Sequence, residues 1–168
     1  MLEIINNRRS CRAFSSQEVE KEKVDLLLRA AMQAPSAHNE QPWAFIVVTD
    51  KNLLFKYAEE VKSATMLKEA PLAIVVCALR DKIKTPLYQQ DLAAATQNIL
   101  LQATSLGLGS CWLGVAPRAE RMEQVRALFN IPEEAEPFST IALGYPKDNS
   151  IFNFRDNFNP EVIHYNRW

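Results

Sequence analysis

Three groups of residues have types and spacing suited to chemistry. Arg8, Arg9, Ser10 and Arg12 place three guanidinium groups and a hydroxyl within five positions. Such a set can hold a phosphate through charge-assisted, often bidentate hydrogen bonds, although on composition alone a solvated basic turn is the plainer reading. The run Pro35, Ser36, Ala37, His38, Asn39 leads directly into Trp43 and Phe45. Its small residues allow close approach and its amide and hydroxyl groups give directional bonds, which suits the edge of a planar heterocycle. Taken alone it also reads as a helix-to-strand turn with Ser36 or Asn39 bonding local backbone. Finally, Cys111 stands beside Trp112, Leu113 and Gly114, as either a redox thiol or a small hydrophobe.

Other chemistries are poorly served. The four glycines, at 107, 109, 114 and 144, form neither GxGxxG nor GxxxxGK[ST], so any nucleotide phosphate must be held by side chains. His38 and His164 are the only histidines, too few for a metal site and without a nucleophile motif to pair with, so no metal is expected. Cys11, Cys77 and Cys111 are odd in number and contain no CxxC, which points to a reduced, cytoplasmic setting. With 19 basic and 20 acidic residues, nothing draws the whole chain to nucleic acid or an anionic membrane. Anion binding must be local. Residues 1–10 mix charge into a short apolar pattern, unlike a signal peptide. The apolar stretch 92–108 is interrupted by Thr96, Gln97, Asn98 and Gln102, unlike a membrane span.

The elements that must position these groups are readable from periodicity. Leu2, Ile4 and Ile5 predict a short helical start, and Ser15 or Ser16 a cap for a helix carrying Val24, Leu27, Leu28 and Ala31, ended by Pro35. The segments "WAFIVVTD" and "APLAIVVCAL" predict strands at the sheet centre, with Trp43 in the core. Lys51 to Glu69 predicts one or two helices, Leu87 to Leu106 a long central one, and Pro117 to Phe129 an ordinary amphipathic one carrying Arg118 and Arg121. "GLGSCWLGV" and "PFSTIALGYP" predict two further strands, and the 168 residues fit one domain. The aromatic tail, residues 147–168, has no steady period and is expected to lie on something, such as a second subunit.

"RRSCRAF", "APSAHNEQPWAFIVV", "GLGSCWLG" and "ALGYP", in this order along residues 8–146, resemble the nitroreductase family of FMN-dependent NAD(P)H oxidoreductases. The resemblance implies an α+β fold with a central, mostly antiparallel sheet flanked by helices, in an intertwined homodimer. It implies FMN as cofactor, NADH or NADPH as cosubstrate and a small-molecule electron acceptor, with no side chain required as catalytic acid or base because flavin N5 carries the hydride. Arg8, Ser10 and Arg12, with Arg9 alongside, would hold the phosphate and ring edge. Pro35, Ser36, Ala37 and Asn39 would reach the flavin from the other subunit. Cys111, Trp112, Leu113 and Gly114 would lie on the remaining ring face, and Arg155 near the phosphate. Two alternatives stay open: a flavin-binding redox module without steady turnover, and other flavin chemistry such as dehalogenation, azoline oxidation or flavin fragmentation. The chain is short for the family, and residues 52–69 show no match to its further flavin contacts.

Overall fold

The structure, a computed structural model, describes residues 2–168. The described residues form five α-helices and four strands. In chain order they are α1 (Glu3–Asn7), α2 (Lys21–Met32), β1 (Trp43–Val48), α3 (Lys51–Glu60), β2 (Leu72–Leu79), α4 (Tyr88–Ser105), β3 (Gly109–Gly114), α5 (Ala119–Phe129) and β4 (Ala135–Gly144). Asp50 starts α3 by accepting the Asn52 and Leu53 N–H groups at 2.8 and 3.4 Å, and α5 stops where Asn130 turns left-handed at φ 51°. The expected cap at Ser15 or Ser16 does not form, and α2 begins only at Lys21. The Ser15 N–H donates instead to the Tyr145 carbonyl, and Phe14 bridges Pro146, so this stretch is held as an extended segment beside the end of β4.

The sheet is antiparallel throughout, in the order β1-β2-β4-β3, and the fold is α+β. β2 lies in the centre as its composition predicts, but β1 is an edge strand: Trp43 and Val48 are buried, Ala44, Phe45 and Ile46 are only partly covered, and Val47 is 39% exposed. Along β2, Ala73, Val75 and Cys77 enter one core with Leu54, Tyr57 and Leu67, while Leu72, Ile74 and Val76 enter another with Leu27, Leu92 and Ile99. Period-two alternation therefore places α3 and α5 on one face of the sheet and α2 and α4 on the other. Pro137, which has no N–H for a central ladder, sits where the β2–β4 register slips between Val76 and Cys77. The Phe138 carbonyl at this bulge accepts the Val115 and Ala116 N–H groups and so directs the chain from β3 toward α5.

Candidate functional site

The basic segment after α1 is docked on the free edge of β3. Ser10 and Ser110 form a parallel bridge, and the Cys11 N–H donates to the Ser110 carbonyl at 2.8 Å. Gly109 makes this approach possible, because a Cβ there would lie 2.7 Å from both Cβ and Sγ of Cys11. The Arg9 guanidinium donates to the Arg8 carbonyl at 2.7 Å and to the carbonyl of Asn153 in the tail, but its Nε is buried without an acceptor. Ser110 Oγ is likewise buried and unpartnered.

A cavity of about 440 Å³ opens next to this segment, lined by Arg12, Lys62, Thr65, Met66, Arg118 and Arg121 together with Cys111 to Gly114. It carries four cationic side chains and no carboxylate. No ion pair among the described residues involves Arg8, Arg9, Arg12, Lys62, Arg118 or Arg121. Unpaired cations and orphaned polar atoms of this kind fit an anionic group such as a phosphate. Alternation along β3 sends Cys111 and Leu113 into the core behind this pocket, while the Trp112 ring crosses to the other face and packs on Phe138 at 6.3 Å. Trp112 also lines the pocket. Burial pushes the Cys111 thiol above its ordinary pKa, against the opposing pull of Arg12 and Arg8, and Cys11 is raised by burial too. Both are free, buried thiols and stay protonated at neutral pH.

The second group of residues is elsewhere. Pro35 to Asn39 forms a turn over the start of α4, where the Ala37 N–H donates to Asp91 Oδ1 at 3.0 Å and Ser36 Oγ accepts the Gln41 N–H at 3.0 Å. His38, Asn39 and Gln41 hold φ of 50°, 57° and 47°, three left-handed residues around the right-handed Glu40 that fix the turn's shape. Asp91 is 6% exposed, and its Oδ2 has no partner. The turn belongs to the α2–α4 side of the sheet and the cationic cavity to the α3–α5 side, so one chain does not bring Ser36 and Asn39 to Arg12. Arg155 makes no hydrogen bond or ion pair among the described residues; it lies in a tail whose Phe158, Tyr165 and Trp168 are exposed.

Comparison with known proteins decides the family. The nitroreductase family model matches residues 5–71 and 58–145. The chain belongs to the nitroreductase family. It is 49% identical, over 99% of its length and 98% of the relative's, to a protein of Archaeoglobus fulgidus provisionally described as an NADH dehydrogenase/NAD(P)H nitroreductase. Among solved structures, it is similar to a Clostridium acetobutylicum protein provisionally described as an NADH oxidase, with a TM-score of 0.95 at 48% identity over 98% of this chain and 99% of that one. It is similar also to an FMN-dependent nitroreductase of Clostridium difficile, with a TM-score of 0.91 at 33% identity over the whole of both chains.

Lys62, Thr65, Met66, Arg118 and Arg121 were not legible as site residues. Residues 62–68 form a run of 3-10 turns rather than a regular helix. Arg118 and Arg121, expected on an ordinary solvated helix face, are turned into the cavity by the chain reversal after β3, and Arg121 donates to the Gly114 carbonyl at 2.7 Å.

Proposed function

We propose that this nitroreductase-family chain is an FMN-dependent oxidoreductase that uses NAD(P)H to reduce small acceptors such as nitroaromatics or quinones. The observation that carries the reading is the cavity at the end of β3, with its four cations and no carboxylate. Bound FMN would supply hydride acceptance and donation at N5, the chemistry no side chain here provides. Arg8, Ser10 and Arg12, with Arg9 beside them, hold the phosphate. Cys111 and Leu113 give the ring a dry backing, and Gly114, lacking a Cβ, leaves room at the strand end. The turn Pro35, Ser36, Ala37 and Asn39 closes the pocket from a second copy of the chain, and Arg155 belongs to the phosphate end. NAD(P)H and the acceptor occupy the same pocket in turn, which gives ping-pong kinetics. Three buried free cysteines support a reducing compartment such as the cytoplasm.

The test is the absorption spectrum of the purified protein, followed by chromatography of the heat-released chromophore. One FMN per chain is the expected result. Stoichiometric FAD, or no flavin after reconstitution, removes the reading. Steady NAD(P)H oxidation with a quinone or nitroarene then separates an enzyme from a flavin-binding redox module, and product analysis separates reduction from dehalogenation, azoline oxidation or flavin fragmentation.

A further inference from the structure

The cations around the cavity divide into two groups. Arg8 to Arg12 are docked at Ser110, near the start of β3, whereas Arg121 is tied to Gly114 at its end. Four residues of extended chain separate these points by about 13 Å. Arg12 reaches the same cavity as Lys62, Arg118 and Arg121, but FMN carries one phosphate, and with Arg8 to Arg12 assigned to it the cations anchored near Gly114 are left for a second anionic group. The far group lies where two cavities adjoin: Lys62, Arg118 and Arg121 line both the 440 Å³ pocket and a neighbouring one of about 290 Å³ that also meets Glu60, Glu120 and Gln124. Neither glutamate comes within ion-pair distance of these cations. Arg121 spends one guanidinium N–H on the Gly114 carbonyl, which fixes the group and leaves its other donors free. Arg118 stands at the N-cap of α5, whose first turn has no side-chain cap, so the helix end adds positive potential at the same place.

We propose that Lys62, Arg118 and Arg121 form an anion subsite for the substrate that exchanges hydride in this pocket, selecting acceptors that carry a carboxylate. This rests on the flavin reading above and extends it from small acceptors in general to anionic ones. A planar carboxylate matches the free edge of Arg121 and orients the acceptor relative to the strand end, with Lys62 and Arg118 adding charge from either side. The subsite makes anionic acceptors better substrates through binding, with little effect on the chemical step.

The experiment compares 4-nitrobenzoate with its neutral counterpart 4-nitrobenzamide, in turnover and in direct binding to the holo protein by calorimetry without NAD(P)H. The variants are Lys62→Ala and Arg118→Ala, whose side chains make no hydrogen bond in the fold, and the double variant Arg118→Ala/Arg121→Ala. In the double variant, the benzoate-to-benzamide ratio of kcat/KM and the benzoate affinity should each fall about tenfold, as loss of charge-assisted contacts requires. The wild-type preference should shrink in high salt, and the FMN titration should stay within about twofold of wild type. Equal losses for the acid and the amide, or a parallel loss of FMN, would overturn the subsite and return these cations to the flavin. Failure of the parent reading looks different: no flavin and no turnover of either acceptor by the wild-type protein.

Discussion

At the scale of single residues, Arg12 is the member of the proposed phosphate group that lines the cavity, and it has no carboxylate partner among the described residues. Replacing it with Ala should weaken FMN binding by about 1.5–3 kcal/mol, or one to two decades, read by flavin fluorescence titration. Lys56→Ala is the control, because Lys56 faces solvent on α3 and pairs only with Glu60. Equal titrations would remove Arg12 from the site. A second residue-scale prediction concerns alkaline pH. Burial pushes Tyr57 from 10.0 up to about 12 despite its 2.9 Å hydrogen bond to Thr140, and pushes Cys77 from 9.0 up to about 12. Above pH 9 to 10 the unfolded chain releases these protons while the folded one keeps them, so their stabilising contribution is complete below pH 9 and is lost as pH rises toward 12. Denaturant midpoints across this window should fall, and Tyr57→Phe should flatten the slope above pH 10. An unchanged slope in that variant would show that other groups carry the alkaline loss.

Among the elements, the edge of β3 matters most, since it carries the segment proposed to bind the phosphate on one hydrogen-bonded bridge. Gly109→Ala drives a methyl group to 2.7 Å from Cys11 Cβ, an atom fixed by the backbone, and to the same distance from Sγ. It should destabilise the protein by about 1–3 kcal/mol and loosen FMN, and Cys11→Gly in the same chain should restore both. Thermal melts and flavin titrations report the two effects separately, and FMN affinity untouched by Gly109→Ala would show that this docking does not hold the site. Legibility in the sequence followed the same physics. Helices with clear 3.6 periods, such as α4 and α5, and strands rich in β-branched residues, such as β2, appear within a residue or two of their expected bounds. The place of β1 at the edge was not readable, because period two reports which faces are covered and says nothing about how many neighbours a strand has. Arg8 to Arg12 stood out by density of charge. Arg118 and Arg121 did not, because only the bulge at Pro137 and the turn after β3 aim them at the cavity, and those are tertiary facts.

For the whole molecule, the tail is the first consideration. Phe158, Tyr165 and Trp168 are 74%, 84% and 101% exposed, an apolar burden that a second copy of the chain would relieve. If a second copy covers this tail as proposed, deleting residues 151–168 should release FMN and dissociate the two copies together, as sedimentation and flavin absorbance would show. A flavin-saturated monomer at micromolar concentration would refute the shared site.

The separation of the Ser36–Asn39 turn from Arg12 by the thickness of the sheet has a genetic counterpart. If each site draws its cations from one copy and its turn from the other, two defective alleles can complement. An Arg12→Ala chain mixed with an Asp91→Ala chain, whose turn has lost its anchor, assembles dimers in which one site gathers both lesions and the other gathers neither. With random exchange of equal amounts, half the dimers are mixed, and about a quarter of all sites are whole. Activity and bound flavin should recover to that level on mixing, from two preparations that are each deficient alone. A site built within one chain would show no recovery at any ratio.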